Sequence, residues 1–95
     1  MMGNTMYQIR LYIVDATKSS TKAVQELEAL LEDKLKGQYS LKIIDVLTEP
    51  ELAEADKILA TPTVIKTAPA PETRIIGDLS DSEKVLAGLG LEEPS

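Results

Sequence analysis

Thr61-Pro62-Thr63-Val64-Ile65-Lys66-Thr67 is the stretch around which the rest of the chain falls into place. Proline fixes its own φ, lacks an amide hydrogen and pushes the preceding residue towards extended conformations. A helix therefore cannot run through Thr61, and Pro62 belongs at the head of a strand. The β-branched run Thr63 to Thr67 reads as that strand. Ala68-Pro69-Ala70-Pro71-Glu72 is a Pro-braced turn, and Thr73 to Ile76 is the hairpin partner, closed by Gly77. Upstream, Thr48-Glu49-Pro50-Glu51 fits a capping box with Pro in the first turn, opening a short helix that reaches only about Ile58. Downstream, Ser80-Asp81-Ser82-Glu83 is a second capping box. It opens a helix with Val85, Leu86 and Leu89 on its buried face, ended by Gly88 and Gly90.

The first half supplies a strand, a helix and a strand. Met6 to Val14 alternates, with Ile9, Leu11 and Ile13 on one face, then closes as a continuous apolar run of the kind a buried strand carries. Asp15 to Ser20 is polar and rich in N-cap residues, a loop feeding a helix. Ala23, Val24, Leu27, Leu30, Leu31 and Leu35 then recur at three- and four-residue steps opposite Glu26, Glu28, Glu32, Asp33 and Lys36, up to Gly37. Tyr39 to Leu47 is the second strand. Such a unit predicts two parallel strands and a right-handed crossover. The order is βαβαββα, a single α/β domain over 1–95 with its ordered core at about 6–91.

Composition narrows the function before any motif does. Apolar residues make up 43% and charged residues 27% of 95 residues, ordinary for one globular domain. There is no Cys and no His, so thiol chemistry, zinc–thiolate sites and the commonest general base are all missing. A net charge of −6 and three tyrosines as the only aromatics argue against nucleic acid as a partner. The longest apolar run is Leu11 to Val14, too short to cross a membrane, and no signal peptide precedes it, so the expected location is cytoplasmic.

A βαβαββα order with Thr-Pro heading the third strand resembles the thioredoxin-like fold. In that fold this proline is usually cis and faces the loop after the first strand. That loop normally carries two cysteines but here reads Thr17-Lys18-Ser19-Ser20. More specific are Asp56-Lys57-Ile58-Leu59-Ala60-Thr61-Pro62-Thr63 and Arg74-Ile75-Ile76-Gly77-Asp78-Leu79-Ser80-Asp81, together with Leu41 to Leu47 before them. In this order they closely resemble the KaiB family, over roughly Tyr7 to Leu91. The resemblance implies a non-enzymatic regulator of the cyanobacterial circadian clock, or a relative outside the clock such as a stress-response regulator. Its partners would be the hexameric ATPase KaiC and, through it, KaiA or a KaiC-linked histidine-kinase system.

The resemblance also implies metamorphic behaviour. One form is thioredoxin-like and binds KaiC; the other repacks the second half and assembles as a dimer or tetramer. Thr61, Pro62, Gly88 and Gly90 are the implied fold-determining positions. Family members usually carry Gly-Leu-Asp where this chain has Gly88-Leu89-Gly90, which tilts the expectation towards the thioredoxin-like form. The first loop also departs from the family's usual Ala-Gly-x-Thr-Pro-x-Ser pattern, pointing to a divergent or non-clock branch.

Lys42, Lys57, Lys66 and Arg74 match basic positions that the family uses on partner-binding surfaces, and in an acidic protein they would complement an acidic patch. The plain alternative is solvated surface cations. Tyr7 and Tyr39 read as half-buried core residues. Glu49, Glu51, Glu54 and Asp56 cluster on the short helix, but the spacing is not that of an EF-hand, and acidic residues in a first turn suit the helix dipole. Asp15 and Asp45 could form a carboxylate pair only in a cleft. Ser19 reads as an N-cap, since no histidine can activate it. No catalytic, cofactor or metal residue is assigned. The competing function is a cysteine-free ligand- or peptide-binding module holding, for example, glutathione at the Thr61-Pro62 edge.

Overall fold

A computed structural model describes residues 6–14, 18–77, 79 and 81–91. Its elements are β1 (Tyr7–Ile13), α1 (Lys18–Leu35), β2 (Tyr39–Asp45), α2 (Pro50–Ala55), β3 (Thr63–Ala68), β4 (Thr73–Ile76) and α3 (Ser82–Leu89). The sheet order is β2-β1-β3-β4. β1, the most apolar segment, takes the inside: it pairs parallel with β2 and antiparallel with β3, while β4 completes the hairpin. The Thr61–Pro62 peptide is cis, the isomer usual at this position of the fold.

The alternation of β1 divides the core in two. Ile9, Leu11 and Ile13 meet Leu27 and Leu31 of α1, Val64 of β3 and Val85 and Leu89 of α3. On the opposite face, Tyr12, Ile44 and Ile65 lie beneath Leu52 and Ala53 of α2 and Ile58. Each fully buried Leu or Ile contributes about 1.5–3 kcal/mol, so the first cluster dominates. Tyr7 and Tyr39 are half-buried against it, as their place in the pattern predicts.

Several local expectations shift by a residue or more. The N-cap of α2 is Glu49, with Pro50 at the first turn and no side-chain cap, so the Thr48 capping box does not form. The Thr48 hydroxyl instead donates to the Asp45 carbonyl at 3.2 Å, closing the turn that leaves β2. α2 also stops at Ala55, earlier than Ile58, and Asp56 ends it. The cap of α3 is Asp81, whose Oδ1 accepts from the Lys84 amide at 3.2 Å; the expected cap, Ser80, lies outside the described residues. Ser19 falls inside α1 and cannot cap it. Gly88 lies within α3 rather than ending it, and only Gly90, at φ 73°, is the left-handed stop. Gly88 has a different purpose: a Cβ there would come within 2.6 Å of Ile75 Cγ1, so its absence lets α3 sit close on β4.

Candidate functional site

The polar chemistry gathers on the face of the sheet that α2 covers. Arg10, on β1, reaches Asp56 at the end of α2, with Nη1 2.8 Å from Oδ2. The buried Tyr12 hydroxyl donates to the same Oδ2 and lies 3.2 Å from the Leu52 carbonyl oxygen. Burial alone would push the Asp56 carboxyl up. The Tyr12 hydroxyl and the Arg10 guanidinium, helped by the charge of Arg74, outweigh it and hold Asp56 below the ordinary carboxylate range. Burial, and then the adjacent carboxylate, push the Tyr12 phenol up to about 12. Three polar groups therefore pin a six-residue helix that has no buried residue of its own.

The expected partner-binding cations separate into two groups. Lys42, Arg10, Ile65 and Arg74 are register neighbours, one per strand, and so share this face. Adjacent strands lie about 4.8 Å apart, which puts the Lys42 and Arg74 backbones about 14 Å apart. Arg74 is half-buried and 3.5 Å from Glu72. Lys57 is exposed in a left-handed conformation, φ 55°, directly after Asp56. Lys66 departs from the expected surface placement. It is 5% exposed, on the opposite face, with its ammonium 5.9 Å from the Tyr7 ring centroid and 3.8 Å from where a Cβ on residue 90 would stand. Strand β3 is buried on both faces, and the Lys66 stem fills the space that a hydrophobe would otherwise occupy.

Thr61 borders the second feature, a hollow of about 220 Å³ that it lines together with Val14, Val46, Ala53, Ile58, Leu59 and Ala60. Leu59 is 92% exposed at its rim and Leu47 is 64% exposed. An isolated exposed leucine is ordinary, but here it adjoins Lys57 and an apolar depression, the composition of a docking surface rather than of a catalytic cleft. The acidic cluster on α2 is dispersed, and no group of three His, Cys, Asp or Glu among the described residues could hold a metal ion. Asp45 Oδ1 accepts from the Leu47 amide at 2.8 Å, and Asp15, its suggested partner, lies outside the described residues.

The KaiB domain family matches residues 10–91, nearly the whole of this architecture. The chain belongs to the KaiB family. Among curated KaiB relatives, the circadian clock oscillator protein KaiB of Prochlorococcus marinus subsp. pastoris is 54% identical over 91 residues, covering 96% of this chain and 85% of that one. That of Rippkaea orientalis is 56% identical over 85 residues, covering 90% and 82%. Among solved structures, the N-terminal domain of Synechococcus elongatus SasA matches with a TM-score of 0.77 at 24% identity, over 100% of this chain and 93% of that one. Mitochondrial thioredoxin 3 from Saccharomyces cerevisiae gives 0.69 at 15% identity, over 88% and 76%. These neighbours make the fold of this KaiB-family chain thioredoxin-like.

Arg10 and Tyr12 were not among the residues that the sequence singled out, and Asp56 was read only as one acid of the cluster on the short helix. An arginine in mid-strand and a lone acid ending a short helix are weak signals. Only the crossing of α2 over β1 unites residues 46 apart in sequence.

Proposed function

We propose that this KaiB-family protein is a non-enzymatic clock regulator that docks on a KaiC-type ATPase in its thioredoxin-like form. Fold switching of the second half controls how fast it does so. The observation that carries the reading is the exposed α2–β3 connection, where Lys57 and the 92%-exposed Leu59 flank an apolar hollow inside the family's DKILATPT string. Apolar contact there supplies desolvation energy, while Lys57, with Arg74 and Lys42 on the adjoining sheet face, complements an acidic partner. Lys66, being buried, supports the fold of the partner-binding form instead. More than half of the residues matching proteins named for the circadian clock favours the clock role over the non-clock branch that the first loop suggests.

The test is co-elution with the KaiC-type ATPase from the same genome, with ATP, followed for a day. Immediate complex formation means a resident binding-competent fold, and formation over hours means a rarely populated one. No complex with a folded partner overturns the proposal. Lys57→Glu is expected to weaken binding tenfold or more while the circular dichroism spectrum is retained.

A further inference from the structure

Because α2 ends at Asp56, it covers only the Tyr12–Ile44–Ile65 half of its face of the sheet. The other half is an open hollow of about 360 Å³ lined by Gln8, Ile9, Arg10, Ser40, Lys42 and Thr67. On this face β1 and β2 change character together. Tyr12 beside Ile44 gives way to Arg10 beside Lys42 and then Gln8 beside Ser40. The chain has 16 acidic residues and 10 basic ones, yet among the described residues no carboxylate lines this hollow and two cations do. The local charge therefore runs against the bias of the molecule.

The donors are also available. Arg10 commits Nη1 to Asp56, which leaves the rest of its fork, and Lys42 is exposed with no ion pair among the described residues. The Ser40 hydroxyl and the Gln8 amide add neutral donors one register step away. A carboxylate has two oxygens to offer such a set. A phosphate monoester has three, carries nearly two charges at neutral pH, and is the better match for an arginine fork and an ammonium on strands about 4.8 Å apart. The volume falls in the range of small-molecule sites, about 300–1,000 Å³, and so leaves room for more than the phosphoryl group. We propose that this hollow binds the phosphoryl group of a small phosphate monoester.

The test needs no ATPase partner, so its result is independent of the docking proposal. The ¹⁵N-labelled full chain is titrated with inorganic phosphate, ribose 5-phosphate and ribose, with ionic strength held constant by sodium chloride. Both phosphates are expected to give saturable amide shifts at Gln8, Arg10, Ser40, Lys42 and Thr67, with ribose giving none. Lys42→Gln is expected to raise the Kd at least fivefold, and Lys42→Arg to keep it within twofold, each with an otherwise unchanged spectrum. Shifts that do not saturate, that sodium chloride reproduces, or that Lys42→Gln leaves intact overturn the proposal.

Discussion

Asp56 receives two donors on one oxygen, and the sequence of charges around it dictates how stability responds to pH. Its carboxyl is more acidic in the folded chain than in the unfolded one, so the unfolded state binds the proton more readily. The stabilisation is present at neutral pH and is lost as pH falls from about 4 downwards. Tyr12 titrates in the opposite sense. Its phenol rises from 10.0 to about 12, so its contribution holds below the unfolded value and disappears as pH climbs through the interval between them. Tyr12→Phe should remove that alkaline fall. At pH 7 it should cost about 1–2 kcal/mol, because Asp56 loses a donor in a half-buried site. Urea unfolding of both chains across pH measures this, and parallel alkaline profiles would show that the hydroxyl contributes nothing.

At the scale of elements, α3 shows how a close approach and a stop were written into two glycines. Gly88→Val forces a branched side chain onto Ile75 and should cost about 1–3 kcal/mol, part of which Ile75→Ala in the same chain should restore. Additive losses in the double variant would mean that the two positions do not meet. Gly90 is left-handed, so Gly90→Ala should cost about 1–2 kcal/mol. Gly90→Asp should cost less, because Asp tolerates that conformation and its carboxylate would approach the Lys66 ammonium. Urea midpoints rank the two, and an Asp variant no more stable than the Ala variant removes Lys66 from the account.

All seven elements were legible because hydrophobic period, Pro62 and the turn residues agree with one another. The details that moved are those where neighbours compete on equal terms. Asp81 caps α3 although Ser80 fits the same box, and Thr48 finds a backbone carbonyl before it can cap α2. The family resemblance led to surface positions for both Lys42 and Lys66; Lys42 is exposed, but Lys66 is buried because a strand covered on both faces has no outward side. The Arg10–Asp56 contact depends on where α2 crosses the sheet, which no local pattern encodes.

For the whole molecule, the question is whether the second half can rearrange while the first persists. The main core joins them: Leu27 and Leu31 of α1 pack with Val64, Val85 and Leu89 from beyond Pro50. The seams are unequal, however. β1 is held between two strands, whereas β4 is a four-residue edge strand with no fully buried residue, and α3 is eight residues long with two. Local opening is expected where buried contacts and paired amides are fewest. Native-state hydrogen exchange should therefore show the β4 and α3 amides opening at a free energy at least ~1.4 kcal/mol, or tenfold in population, below those of β1 and β2. Val85→Ala, which empties a site between α3 and the shared core, should widen that gap because it weakens the α3 seam more than the pairing of β1 with β2. A route of this kind is what the proposed fold switching requires, since the second half would have to repack around an intact β1–α1–β2 unit. Uniform protection in both halves, shifting together in Val85→Ala, would instead make the domain one cooperative unit, and any change of fold would have to pass through global unfolding.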